Sequence, residues 1–274
     1  LIDLKSSRKF LCTSCNRRVA VYLRRSSGER LCSTCFERSL IKIVKRSLRD
    51  VKDLKPGIKL ASLVIPERLV TSITTLYILN KIERKYNCKV VAVLPINECY
   101  RAVVDNIINS IIKPKVGIDD EFIDIINYGD SRLNISSVEV FNKYVKLTIN
   151  SITKYNVIAL PLTLNDLSEI ILTSLLSHYL ENIPTQPSFK LNSQTFIIPF
   201  YNVPEYDVYI YSYIRGIYDL TLDDILTSLR DTYISEDQVI VKELVRDLSY
   251  NNPELTQTLV KSFNNIVRSI TFNN

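Results

Sequence analysis

The stretch Ile58-Lys59-Leu60-Ala61-Ser62-Leu63-Val64-Ile65-Pro66-Glu67-Arg68-Leu69 decides the fold. Ile58–Ile65 is a nearly continuous apolar run, the pattern of a strand buried on both faces. Pro66 suits the first turn of a helix, where its missing N–H is not needed, and the helical pattern continues to about Tyr86. Outward from this βα unit the alternation repeats. Val90–Leu94 reads as a short strand stopped by Pro95, Glu98–Ile112 as a helix and Phe122–Asn127 as a strand. Val138–Lys154 reads as a helix, Val157–Leu160 as a buried strand, and Asp166–Leu180 as a helix capped by Asn165 or Asp166. Thr195–Ile198 is a strand stopped by Pro199, and the tail from about Pro204 is mostly helical. Apolar strands separated by helical periods predict an α/β fold with a parallel sheet covered on both faces.

Upstream of this domain lie Cys12-x2-Cys15 and, after sixteen intervening residues, Cys32-x2-Cys35. Two such pairs supply four thiolates to one tetrahedral ion, with Zn²⁺ as the default metal. Two disulfides would suit a secreted mini-domain, and iron–sulfur clusters usually follow other spacings. Four thiolates leave no open coordination position, so the expected zinc is structural. An amphipathic helix over 36–50 leaves the knuckle. Phe36, Leu40, Ile43/Val44 and Leu48 line one stripe, and Arg38, Lys42, Lys45, Arg46 and Arg49 the opposite side. Pro56-Gly57 marks a break. The expected division is a basic module over 1–55, an α/β domain over 56–203 and a helical C-terminal segment over 204–274.

The chain has 274 residues and a net charge of +6, and the charge is unevenly placed. Residues 1–55 carry fifteen Lys/Arg against five acids, an excess of +10, which leaves −4 for the remainder. A basic module of this kind is an electrostatic footprint for nucleic acid. Arg17, Arg18, Arg24, Arg25, Arg38, Lys42, Lys45, Arg46 and Arg49 are the expected RNA contacts. Tyr22 beside Arg24 and Arg25 fits either base stacking or the knuckle's small core. No apolar run is long enough to span a membrane and no signal sequence is visible, so the expected location is cytoplasmic, with Cys88 and Cys99 as free buried thiols.

Catalytic constellations are scarce. Histidine occurs once, at His178, beside Ser177; neighbours on a helix point about 100° apart and form no relay, so His178 reads as a surface or packing residue. Asp119-Asp120 and Asp223-Asp224 read as helix-start or loop acids. The chain holds five glycines, at 28, 57, 117, 129 and 216, no two within ten residues of each other. Loops that wrap phosphates with backbone amides depend on clustered glycine. Tyr201, Tyr206, Tyr209, Tyr211, Tyr213 and Tyr218 crowd the region after the last strand, as packing or as a subunit interface.

Several stretches carry a resemblance. Val93-Leu94-Pro95-Ile96-Asn97-Glu98-Cys99-Tyr100-Arg101 is similar to a segment written S-I-D-E-G-I-x-G-Y-R, and Val157–Glu169 to I-V-T-G-H-N-x-D-D-x-A-E-T. Phe196–Arg215, with Glu205 and Tyr211, is similar to R-x-K-P-L…E-x-E-I-x-x-Y. Together with the four-cysteine knuckle and its helix, these resemble the TtuA/TtcA-type tRNA 2-thiolation enzymes. Those enzymes are PP-loop ATP pyrophosphatases, with an adenine nucleotide alpha-hydrolase-like domain, and include the cytosolic tRNA thiolase. The resemblance runs in the order of features over nearly the whole chain.

The departures shape the expected function. The family's S-G-G-K-D-S loop corresponds to Leu63–Leu69, which lacks glycine and carries Glu67, with Arg68 in place of the lysine. The second C-x2-C should fall near 136–139 and a later cysteine near 218–226; neither is present, nor is a C-terminal zinc finger. Thr163-Leu164-Asn165 replaces G-H-N. The resemblance therefore implies a pseudoenzyme with a relic nucleotide pocket of Ser62, Pro66, Arg68, Glu98, Arg101, Asn165 and Asp166. It implies structural Zn²⁺, no ATP, and tRNA as partner, beside an active PP-loop thiolase paralogue in a heterodimer or a second copy in a homodimer. The alternatives are an active ATP-dependent tRNA sulfurtransferase with a divergent nucleotide site, and a protein-interaction scaffold without an RNA role.

Overall fold

The computed structural model describes residues 10–65, 68–96, 101–127, 141, 145, 152–177, 183–228 and 236–272. Pro66, Glu98, Cys99, His178 and nearly all of the helix expected over Val138–Lys154 lie outside the described residues. A small hairpin, β1 (Tyr22–Leu23) and β2 (Arg30–Leu31), precedes the long helix α1 (Ser33–Leu48). A six-stranded sheet follows: β3 (Lys59–Leu63), β4 (Lys89–Ile96), β5 (Ile123–Asn127), β6 (Val157–Ala159), β7 (Ser188–Leu191) and β8 (Gln194–Ile197). Its order is β5-β4-β3-β6-β8-β7, parallel throughout except that β7 joins the edge antiparallel to β8.

The period-two alternation of the strands sorts their side chains into two cores. Leu60, Val90, Ala92, Leu94, Val157, Ala159 and Ile197 face one way. There they meet α1, the helix α2 (Leu69–Glu83), and Val208 and Tyr211 of a later helix. Ala61, Leu63, Val91, Val93, Ile158 and Phe196 face the other way, against α4 (Leu164–Leu176) and Val260 and Phe263 of the last helix. In the first core, α3 (Arg101–Ile107) runs on as a π-helical segment, Ile108–Val116, that contains Pro114. Pro114 cannot serve as an ordinary helical donor, and the wider turn accommodates it. Gly117, at φ 72°, ends the segment. The C-terminal segment forms α5 (Glu205–Ile214), α6 (Leu220–Ser228), α7 (Glu236–Asn251) and α8 (Pro253–Phe272).

Helix α2 is buried on nearly all sides although it carries four hydroxyl residues in a row of five. Three of those hydroxyls, of Ser72, Thr74 and Thr75, are satisfied locally. Thr74 and Thr75 donate to the carbonyls of Val70 and Thr71 at 2.7 and 2.8 Å. Ser72 accepts from the Ile65 amide at 3.0 Å, so it holds the turn that leaves β3.

Three elements differ from the sequence reading. β4 continues through Pro95, which stands in register with Ile126 of β5, and ends at Ile96. β7 arises from a hairpin turned at Asn192, whose φ of 55° provides the tight reversal, and Phe189 stacks on Phe196 with ring centres 5.2 Å apart. The cap of α4 is Thr163, with Asp166 as the third helical residue of a reciprocal capping box.

The N-terminal module shares the core of the α/β domain. Tyr22 is buried and stacks on Phe36 at 4.0 Å, and Phe36 meets the edge of Tyr211 at 6.1 Å. Asp53 accepts from Thr195 at 2.6 Å and pairs with Lys190 at 2.7 Å, joining the loop after α1 to the sheet edge. Removing the central ring, Phe36→Ala, leaves a cavity between knuckle and sheet. Urea unfolding should show a loss of about 3–5 kcal/mol, the usual cost of truncating a fully buried phenylalanine.

Candidate functional site

The four thiols at the N-terminus converge as the spacing predicts. The Cys12, Cys15, Cys32 and Cys35 sulfurs all lie within 4.8 Å of one another, and Cys15 Sγ and Cys32 Sγ are 4.0 Å apart. No disulfide joins them. The first pair sits on a turn in which the Asn16 amide bonds the Cys12 carbonyl at 2.8 Å, with Asn16 at φ 50°. The second pair belongs to the start of α1, with Cys32 as its N-cap residue. A tetrahedral ion with Zn–S bonds of about 2.3 Å places its sulfurs about 3.8 Å apart, close to what is seen here. A cubane cluster, with an iron at each separate ligated corner, needs its thiolates spread more widely. The site therefore fits one four-coordinate ion, closed to further ligands.

Helix α1 displays the basic residues. Arg38, Lys42, Lys45, Arg46 and Arg49 are exposed, and their spacing of three and four keeps them on one side. The helix has one acid, Glu37, and it points inward. It accepts from Lys81 at 2.6 Å and Tyr211 at 2.8 Å and pairs with Arg215. Burial alone would raise its pKa, but the Lys81 and Tyr211 hydrogen bonds and the Arg215 charge hold it below the ordinary value. The outer face of α1 is thus left purely cationic. Arg17 and Arg18 are exposed on the knuckle. Arg24 and Arg25 are engaged within the protein. Arg24 bonds Glu29 and Ser39 at 2.6 and 2.7 Å. Arg25 lies over the Tyr250 ring at 3.5 Å and donates to the Tyr250 carbonyl, which ties the knuckle to α7.

The second site lies in the sheet. Strand order runs outward in both directions from the neighbours β3 and β6, so their carboxyl ends flank the switch point where open α/β sheets bind ligands. Arg68 follows β3 and stands just before α2. Its side chain, 10% exposed, reaches Asp166 at 2.7 Å, Glu169 at 3.6 Å and Glu205 at 3.9 Å. Asp166 and Glu169 are one turn apart on α4, and Glu205 opens α5. Burial would lower the Arg68 pKa, but the charges of Asp166, Glu169 and Glu205 outweigh it and keep the guanidinium ionised.

The remaining pocket residues are scattered in role. Asn165 Oδ1 accepts from the Glu205 amide at 2.9 Å and from Ser249 at 3.3 Å, so it holds α5 and α7 against α4. Ser62 is fully buried on β3, and its hydroxyl has no partner among the described residues. Arg101 is exposed at the start of α3. The structure thus brings together Arg68 and Asp166 and adds Glu169 and Glu205. The i, i+3 spacing of Asp166 and Glu169 was a visible signal for one of these; the arrival of Glu205 is a tertiary fact.

No protein-family model matches the sequence, and no curated protein matches it. Among solved structures, a U34-tRNA thiolase, NcsA from Methanococcus maripaludis with its [4Fe-4S] cluster, matches with a TM-score of 0.70 at 17% identity. The match covers 94% of this chain and 87% of the thiolase. The two proteins share their fold. Outside the N-terminal four, this chain has only Cys88 and Cys99, too few thiolates to hold such a cluster in the four-cysteine manner.

Glu205 gives the crevice a pH dependence. Burial and the neighbouring Asp166 charge push its carboxyl up to about 7, against the pull of Arg68. The folded state then keeps a proton that the unfolded chain has released by pH 7, so this contribution to stability is lost as pH rises from about 5 through 7. Denaturation midpoints should fall across that window in the wild type and change less in Glu205→Gln. Arg68→Ala should cost about 3–5 kcal/mol in urea unfolding, because it leaves buried carboxylates uncompensated.

Proposed function

We propose that this chain is a non-catalytic, tRNA-binding subunit of a tRNA 2-thiolation system. The observation that carries the reading is the state of the switch-point crevice. Where a PP-loop enzyme would offer glycine amides and a lysine to nucleotide phosphates, this chain has a glycine-free turn and an arginine already bound by carboxylates. Those carboxylates would repel a polyphosphate, and their guanidinium could bind it only by leaving them.

What remains suited to RNA is the basic module. Arg38, Lys42, Lys45, Arg46 and Arg49 on α1, with Arg17 and Arg18 on the knuckle, form the proposed phosphate-binding face. Arg24 and Arg25 brace that face. Zn²⁺ on the four cysteines is the proposed metal, with the structural task of fixing where α1 begins. The likeness to a U34-tRNA thiolase supports tRNA as the nucleic acid. In this reading an active PP-loop thiolase works beside the chain, as a heterodimer, in the cytoplasm, and performs the adenylation and sulfur delivery.

Binding of purified tRNA, followed by anisotropy, tests the proposal. Affinity should fall on the order of 10³-fold between 50 and 200 mM salt if six or more phosphates are contacted. Reversing charge at Lys45 and Arg46 should weaken binding and flatten the salt slope. Salt-insensitive binding, or none, would sink the RNA assignment.

A further inference from the structure

At the C-terminal end of the cationic face lies a cavity of about 160 Å³, bounded by α1, the loop after it and the end of α2. Its shape follows from a short reversal. A 3₁₀ turn, Arg84–Tyr86, tightens the end of α2, and Asn87 at φ 57° turns the chain back so that Cys88 closes the pocket. The Cys88 amide bonds the Glu83 carbonyl at 3.2 Å and its thiol donates to the Lys55 carbonyl at 3.3 Å, which fixes the floor.

Three kinds of group converge there. Tyr86 is an exposed aromatic wall, 50% accessible, with Lys45 Nζ 5.8 Å from the ring centre. Leu48, Leu54 and Ile82 form an apolar side. Among the described residues Glu83 is the one carboxyl in the lining, and its residue is only 3% exposed. Burial raises its pKa above the ordinary value, with the hydrogen bond to Cys88 opposing. A structural role alone would not require a buried carboxyl beside an exposed ring at the mouth of a cavity. The volume holds several waters, yet falls short of the roughly 300–1,000 Å³ of sites for larger ligands.

Resting on the RNA-binding reading above, we infer that this cavity receives one unstacked nucleobase of the RNA that lies along α1. The base stacks on Tyr86, and its exocyclic amine donates to Glu83, as cytosine and adenine amines do to carboxylates and other acceptors. Lys45 belongs both to the α1 stripe and to the pocket rim, and Lys55 stands on the other rim, so the flanking phosphates are held while the base turns inward. An aromatic platform interleaved with lysines is the usual means of holding single-stranded RNA, and the bare α1 stripe lacks one.

Anisotropy titrations of the full chain with fluorescent single-stranded oligocytidine, oligouridine and a blunt RNA duplex test the inference. Tyr86→Ala should weaken oligocytidine binding by about five- to hundredfold, the range expected for loss of one stacked base. Duplex binding should stay within about twofold, Tyr86→Phe should behave as wild type, and Glu83→Gln should abolish a preference for oligocytidine over oligouridine. Equal binding of oligocytidine by Tyr86→Ala and wild type would overturn the inference, as would an equal loss for single strand and duplex. Failure of the wild type to bind any RNA instead removes the parent reading, a result distinct from RNA binding that ignores Tyr86.

Discussion

The ion pair between Arg68 and Asp166 is the contact on which the organisation of the α/β domain turns. A guanidinium removed from water is tolerated only with charged partners, and Arg68 lies among three carboxyl groups drawn from two helices, Asp166 the nearest. The loop leaving β3 is thereby tied to α4 and α5 at the point where the sheet changes direction. Asp166 serves a second purpose in the same place: its other oxygen accepts from the Thr163 amide at 2.8 Å and hydroxyl at 2.7 Å. One carboxyl therefore caps α4 and anchors the arginine. Arg68 is thus held among carboxyl groups of two helices, as a brace is.

The same separation of charge organises the rest of the chain. Acids on the packed faces are consumed by internal partners: Glu37 by Lys81, Tyr211 and Arg215, and Asp53 by Lys190 and Thr195. Lysines and arginines on the outer side of α1 have no acid beside them on that helix. Cys32 and Cys35, from the four-cysteine cluster, stand at the first turn of α1, and the Tyr22–Phe36–Tyr211 ring contacts lock its inner face against the sheet. A cationic helix results, fixed at its N-terminal turn by these contacts.

Much of this was legible from residue patterns. Metal ligands at fixed spacing, the α1 stripe and the buried strands all rest on local periodicity, and each emerged at or near its expected position. The edge hairpin was missed because β7 is short and mixed in composition, so neither strand alternation nor an apolar run marks it. Pro95 misled for a different reason: it read as a stop, whereas β4 runs one residue beyond it. The roles of Arg24 and Arg25 depend on Glu29, Ser39 and Tyr250, and the last of these is brought near only by the folded C-terminal helices. Glu205 is likewise far from Arg68 along the chain, so their pairing is set by how α5 returns over the sheet.

Calorimetric titration of the purified full chain with Mg²⁺-ATP tests the central claim most directly, because it asks whether the switch-point crevice accepts a nucleotide while Arg68 is held by its carboxylates. The account predicts no binding heat and no pyrophosphate release at millimolar nucleotide. Saturable binding that is lost in Arg68→Ala would contradict it and would make that arginine a phosphate ligand instead of a brace.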